Sequence, residues 1–337
     1  MAGLGRYLVI RALLIIPTVL ILYTLVFIIM RVIPGDPVQA ALGTRYIPPE
    51  QLEALRQKLG LDKPYHVQYF EYLAGVIRGD FGESLSVQGR SITADILDKF
   101  PATLELTIFS FMVSVLIGIS TGIIAALRKG TKIDAAMRIY SIVAYTLFIP
   151  WLGSILIMIF SIWLGLLPTH GRLDPRTELQ EITGLYVLDS ILTRNMDALK
   201  DALSHLVLPS LTLGIVLSGA YTRLVRANLS EALLSDFVRA YRARGVRERR
   251  ILMHAFRNSL IPIVTMMGLQ MAILLGGAVL TETTFSWPGM GRYLLERVEA
   301  RDYTAVQGVV VFFALIVGLI SLIVDTIYAL IDPRIRY

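Results

Sequence analysis

The chain has 337 residues, 55% of them hydrophobic, with 32 Lys and Arg against 26 Asp and Glu, no cysteine and a mean hydropathy of +0.64. That balance excludes an ordinary soluble domain, and the missing cysteines exclude disulfides, thiolate metal sites and cysteine nucleophiles. The formal charge of +6 gathers in short segments between apolar runs, so it reads as membrane topology and not as nucleic-acid binding.

Six runs are nearly free of charge and close to the length that spans a bilayer: Ala12 to Met30, Leu106 to Leu127, Ile139 to Leu167, Leu206 to Thr222, Ser259 to Leu280, and Thr304 to Val324. The first follows Arg6 and Arg11 but has no small-residue cleavage site after it, so we read a retained helix over 1–33. Arg128-Lys129-Gly130-Thr131-Lys132 and the arginines after Thr222 put both termini in the cytoplasm. The expected fold is an all-α membrane protein of six transmembrane helices, with an external domain over 34–100 inserted between helices one and two. A five-helix core over 101–337 carries an external segment, 168–204, and a cytoplasmic region, 225–258.

In chain order, Pro34-Gly35-Asp36-Pro37 is a hard turn, and Pro48-Pro49-Glu50 opens a helix that Gly60 stops. A second external helix is expected over Val67 to Ile77, packed on the membrane face through Tyr69, Phe70 and Tyr72, and then a glycine turn, Gly79 to Ser84. Transmembrane helix two starts at Pro101 to Glu105 and carries Gly118 and Gly122, a small-xxx-small pair that admits a close neighbour. Pro150 beside Trp151 predicts a kink within helix three, caused either by packing or by a translocation path. After a short helix from Met196 to Leu203, helix four starts at Leu208-Pro209. Helix five holds Gln270, which lines the path or bridges two helices, and Gly276-Gly277, a hinge or a close contact.

Between helices four and five lies Ser235 to Ile263, with seven arginines. Asp236 caps a short helix with Phe237, Ala240 and Tyr241 on one face; Gly245 breaks it; Ile251, Leu252, Ala255 and Phe256 form a second apolar stripe. Two amphipathic helices about a glycine bend make a cytoplasmic knob that can enter a partner's groove and pass a push to the attached helices.

No apolar run has an ionisable residue at its middle, which argues against a proton- or sodium-coupled carrier. No phosphate-binding G-x-x-x-x-G-K-[ST] occurs, and the four histidines lie scattered in loops, so neither a nucleotide motor nor an intramembrane enzyme is indicated. A pore body without an energy source needs a partner that supplies one; a stand-alone carrier is the alternative.

Several short motifs follow one another in a fixed order: Pro34-Gly35-Asp36-Pro37, Gly79-Asp80-Phe81-Gly82 with Ser84, Arg239 to Gly245, and His254-Ala255-Phe256-Arg257-Asn258. Gly276-Gly277-Ala278 with Glu282 and Phe285, Pro288-Gly289-Met290-Gly291, Arg301-Asp302, Asp325 and Asp332-Pro333-Arg334 complete the series. On these the chain resembles the membrane permease subunits of ATP-binding-cassette importers of the dipeptide and oligopeptide type, over nearly its whole length. In the wider family an E-A-A-x-x-x-G element docks in the ATPase. Here Gly245 and Ala240 match it, while Arg239 stands for Glu, Tyr241 for the second Ala, and Asn258 for the later Pro. The resemblance implies that Arg239, Ala240, Tyr241, Arg242, Arg244, Gly245, His254, Arg257 and Asn258 couple to the ATPase. It implies a pathway past Tyr145, Pro150, Trp151, Met266, Gln270, Gly276 and Gly277, and a binding-protein dock or outer gate at Asp80, Phe81, Glu282, Phe285 and Trp287. The implied partners are a second, homologous permease subunit, two ATPase subunits that hold the ATP and Mg, an extracytoplasmic binding protein and membrane lipid. The chain itself would bind no cofactor or metal and catalyse no reaction. Peptides are the expected substrate, with oligosaccharides, and less so nickel, as alternatives, and the location is the plasma membrane.

Overall fold

The computed structural model describes residues 2–32, 60–87, 89–275 and 278–331, with isolated positions between 48 and 57. The described secondary structure is helical apart from one isolated bridge, Glu83 to Ser91. Five helices are long and apolar enough to cross a membrane, and a bent pair makes a sixth. The described residues therefore have the expected helical membrane architecture.

Helix α1 (Ala2–Val32) is followed by α2 (Tyr65–Ile77) and α3 (Ile92–Leu127). Gly60, at φ +67°, closes the turn before α2: its N–H donates to Gln57 O, and that of Leu61 to Arg56 O, the left-handed glycine stop expected there. Tyr69 and Tyr72 of α2 do not face lipid. They pack on Tyr23 of α1, whose hydroxyl donates to Tyr69 O at 2.6 Å, while Phe70 is exposed. The described part of the expected 34–100 domain thus shares its core with α1 and the later helices.

Helix α3 starts nine residues before the expected proline. Ser91 caps it by accepting from Ala94 N, and Pro101 lies inside. The parallel helix α7 (Met196–Ala232), capped by Asn195, likewise runs through Pro209, so the two expected pieces are one helix. A proline costs one internal hydrogen bond, and close burial against α3 over both halves outweighs that loss. The approach is made by small residues: a Cβ at Gly118 would sit 2.9 Å from Ser218 O, and one at Gly122 3.0 Å from Thr222 O. The expected close contact is thus with α7.

Helix α4 (Lys132–Thr146) ends before Leu147, and α5 (Ile149–Leu156) leaves at 103° to it, running into a π-helical stretch, Ile157–Trp163. Pro150 is in the first turn of α5, where it has no helical hydrogen bond to break, so the expected interior kink is a full break ahead of the proline. Then come α6 (Tyr186–Leu192), α7, α8 (Asp236–Ala243) and α9 (Glu248–Leu275). The chain closes with α10 (Val279–Thr284), α11 (Met290–Glu299) and α12 (Tyr303–Ile331). Helices α3 and α7 form the centre, α4 packs on α7, α9 bridges α7 and α12, and α1 lies outermost against α12.

Candidate functional site: the knob, the central layer and the face opposite

Ser235, not Asp236, occupies the cap position of α8; its hydroxyl donates to Ala232 O, and Asp236 adds its charge to the first turn. Val238, which the sequence reading passed over, is fully buried. With Ile251 and Ala255 of α9 it fills a cluster against Ala126 of α3 and Leu229 of α7, flanked by Phe237, Tyr241, Leu252 and Phe256. The ring of Tyr241 also meets those of Phe237 and His254. The knob is therefore fixed to the ends of three long helices at once. A signal for Val238 existed: it continues the i, i+3 spacing to Tyr241.

The other side of the knob faces solvent. Arg239, Ala240, Arg242, Arg244 and Gly245 are exposed, as are His254, Arg257 and Asn258, and Tyr241 is half-buried. Ala240 leaves the apolar face on which it was expected, because Val238 occupies the buried centre. Gly245 holds φ +69°, a conformation that bends α8 toward α9, and Arg242 spans the bend to Glu248 at 2.9 and 3.3 Å. Arg226 of α7 grips the buried Asp134 of α4 through two hydrogen bonds, 2.5 and 2.9 Å, which tie α4 to α7.

Among the expected pathway residues, Tyr145 and Trp151 are exposed, and Pro150 and Met266 are half-buried. Gly276 and Gly277 lie outside the described residues. Gln270 is 4% exposed and lines no open surface. Leu274, Leu106 and Leu206 share one apolar cluster, and one turn along the same faces stand Gln270, Ser110 and Ser210. Each is buried, and Gln270 Oε1 and both serine hydroxyls have no hydrogen-bond partner among the described residues. Three helices thus meet in a polar layer inside the bundle.

At the end opposite the knob, four of the five expected docking residues are enclosed. Phe81, Glu282, Phe285 and Trp287 are between 0% and 6% exposed; Asp80 alone is open, and it accepts from Gly82 N at 2.9 Å. Direct docking through the four does not fit, since a partner cannot touch them. Their arrangement is that of a scaffold. Glu282 accepts from Thr103 Oγ1 at 2.7 Å and from Arg292 N, in the first turn of α11, at 2.8 Å. A Cβ at Gly289 would come within 2.6 Å of Glu282 Oε2, which is why the turn before α11 needs glycine. Burial pushes the Glu282 carboxyl above the usual range, and the donors at Thr103, Arg292 and Gly291 pull the other way. Trp287 Nε1 donates to Ala102 O at 2.8 Å.

Two further carboxylates organise this face. Asp302 accepts from the hydroxyls of Ser84 and Ser86, at 2.5 and 2.8 Å, and from Leu85 N, Ser86 N and Ala305 N, tying the glycine turn to the start of α12. Glu105 of α3 accepts from Arg172 Nη2 at 2.6 Å and from Val187 N at 2.8 Å, with Arg172 laid 3.7 Å over the Tyr186 ring. The motifs Gly79 to Ser84, Pro288 to Gly291 and Arg301-Asp302 are thus parts of one framework.

Comparison with known proteins bears on the whole chain. The profile of the family described as binding-protein-dependent transport system inner membrane component matches residues 118–337, and that of its N-terminal region matches residues 4–107. The chain is similar to the di/tripeptide transport system permease protein DppB of Pseudomonas aeruginosa, 40% identical over 325 residues and 96% of each chain. It is 38% identical over 329 residues to the dipeptide transport system permease protein DppB of Escherichia coli (strain K12), again covering 96% of each. The glutathione transport system permease protein GsiC of Salmonella typhi is 38% identical over 333 residues, 98% of this chain and 99% of its own.

Proposed function

The chain belongs to the family of binding-protein-dependent transport system inner membrane components, and on that premise we propose that it forms half of a peptide pathway driven by separate ATPase subunits. The other half comes from a second, homologous permease subunit. Both termini and the knob face the cytoplasm, and the segments over 34–100 and 168–204 face outward. ATP and Mg belong to two ATPase partners, and an extracytoplasmic binding protein delivers the substrate. Peptides are preferred to oligosaccharides or nickel because the relatives are named for dipeptides, tripeptides and glutathione.

One observation carries the coupling role: the knob is apolar and sealed where it meets α3, α7 and α9, and its other side is open and carries the exposed Arg239, Arg242 and Arg244. A push on the exposed arginines reaches three membrane helices without a flexible link between them. Closure of the ATPase pair would then tilt these helices and alternate access to the pathway between the two permease subunits. The enclosed Phe81, Glu282, Phe285 and Trp287 act as an outer scaffold, leaving Asp80 and the surface beside it for contact with the binding protein.

The test is charge reversal on the open face. Arg239→Glu with Arg244→Glu leaves the sealed side untouched, so the chain is expected to insert and to pair with its permease partner. Peptide uptake in proteoliposomes falls at least tenfold and the ATPase subunits dissociate at lower salt. Normal uptake by this variant would remove the knob from the coupling path.

A further inference from the structure

At the face opposite the knob, the end of the seam between α1 and α12 holds a cavity of about 310 Å³ with a mixed polar and apolar lining. It is lined by Arg31 at the end of α1, Gln68, Glu71 and Tyr72 of α2, Glu83 of the glycine turn, and Thr304 and Gln307 in the first turns of α12. Nothing in the transport reading uses it.

The hydrogen bonds around it leave a one-sided surplus. Arg31 donates from Nη1 to Gln307 Oε1 at 2.8 Å and from Nη2 to Gln68 Oε1 at 3.2 Å, with its guanidinium 4.0 Å over the Phe27 ring. Its partners are neutral amides, and no carboxylate among the described residues pairs with it. Gln68 spends its own amide N–H groups on Leu61 O and Lys63 O. Glu71 is taken by Lys63 at 2.7 and 2.8 Å, and Glu83 also has a partner.

What remains is donors. Gln307 is 2% exposed, yet its Nε2 has no acceptor among the described residues, and the buried Tyr72 hydroxyl has no partner either. Burying such groups without acceptors costs about 1–3 kcal/mol each, a penalty that an acceptor-rich guest would remove. A group with oxygens on several sides and negative charge meets Arg31, Gln307 and Tyr72 together.

We propose that this cavity is an oxyanion site that takes a phosphate group, supplied by a phospholipid headgroup or by free phosphate, between Arg31, Tyr72 and Gln307. The preceding turns of α1 bear on the source: Leu25, Ile28, Ile29 and Val32 are exposed, as a lipid-facing band is, and bring headgroups to the level of Arg31. A lipid held there would tie the outermost helix to α12 at the bilayer surface.

The experiment uses the full chain in its complex, in neutral detergent, with two arms. In one, native mass spectrometry counts phosphatidylglycerol retained after delipidation and re-addition. In the other, melting is followed against inorganic phosphate, with chloride at matched ionic strength as the reference. Retention of lipid, or saturable stabilisation by phosphate, is expected in at least one arm, and the arm that responds identifies the source. Tyr72→Phe and Gln307→Leu, which remove donors and little volume, should each weaken the response roughly tenfold. No response in either arm, or an undiminished response in both variants, would overturn the site.

Discussion

The pair Arg172 and Glu105 offers the sharpest test of what holds the segment before α7 on the helical core. Their side chains are 6% and 3% exposed, 2.6 Å apart. Arg172→Met leaves the Glu105 carboxylate buried with only Val187 N as a donor, and breaking a buried pair in this way costs about 3–5 kcal/mol. Replacing both, with Glu105→Leu added, removes the stranded charge; the remaining loss is that of the partners of Val187 N and of Gly184 O, to which Arg172 Nη2 donates at 2.9 Å, and comes to about 1–3 kcal/mol. The double variant is therefore expected to be more stable than the single one. Amide exchange of residues 182–188 in the purified complex reads this locally, because 3 kcal/mol corresponds to roughly a hundredfold faster exchange. Arg172→Met should reach that acceleration and the double variant should recover at least tenfold of it. Equal exchange in the two would show that the charge pair is not what anchors the segment.

Gly118→Ala should destabilise the complex by about 1–3 kcal/mol, since its Cβ meets the Ser218 carbonyl, which cannot yield as a side chain can; Leu116→Ala, on an exposed face, serves as the control in the same thermal melt. Burial works against ionisation of Asp302, but the donors at Ser84, Ser86 and Ala305 outweigh it and hold its carboxyl below the ordinary aspartate range. With the folded value depressed, the clamp stabilises fully above the unfolded-state pKa and is lost as pH falls through the folded one. Exchange at residues 84–87 should accelerate over that acid window in the native chain, and the window should be absent in Asp302→Asn. Val238→Asp puts an unpaired charge in the sealed side of the knob and should abolish uptake while the ATPase subunits keep basal hydrolysis. Gln270→Leu removes an unpartnered buried oxygen and should leave the melting temperature unchanged or higher; a clear fall would reveal a partner for Oε1.

The membrane spans were legible because hydropathy over about twenty residues is a strong local signal, and so were the glycine stops at Gly60 and Gly245, where only φ > 0 continues the chain. Helix ends at proline were not. Pro101 and Pro209 read as starts by local rules, whereas packing of α3 on α7 carries both helices through them. Pro150 failed in the opposite sense, starting a helix where a kink was expected. The exposed arginines of the knob could be read from amphipathic spacing, but Phe81, Phe285 and Trp287 looked like interface aromatics because the sequence does not show what covers them. Arg172 and Glu105 are 67 residues apart, and no spacing rule links them. The donor surplus around Gln307 is equally invisible, since it depends on which amides Arg31 reaches.

The central claim is that this chain moves peptides only when ATPase subunits act on its knob. The most direct measurement is uptake of a labelled dipeptide into proteoliposomes holding the two permease chains, the ATPase subunits and the binding protein, compared with liposomes lacking the ATPase subunits. Uptake that requires ATP and the ATPase subunits, and that is lost in Arg239→Glu with Arg244→Glu, is the predicted result. Dipeptide flux through the permease chains alone, running down its gradient without ATP, would contradict it.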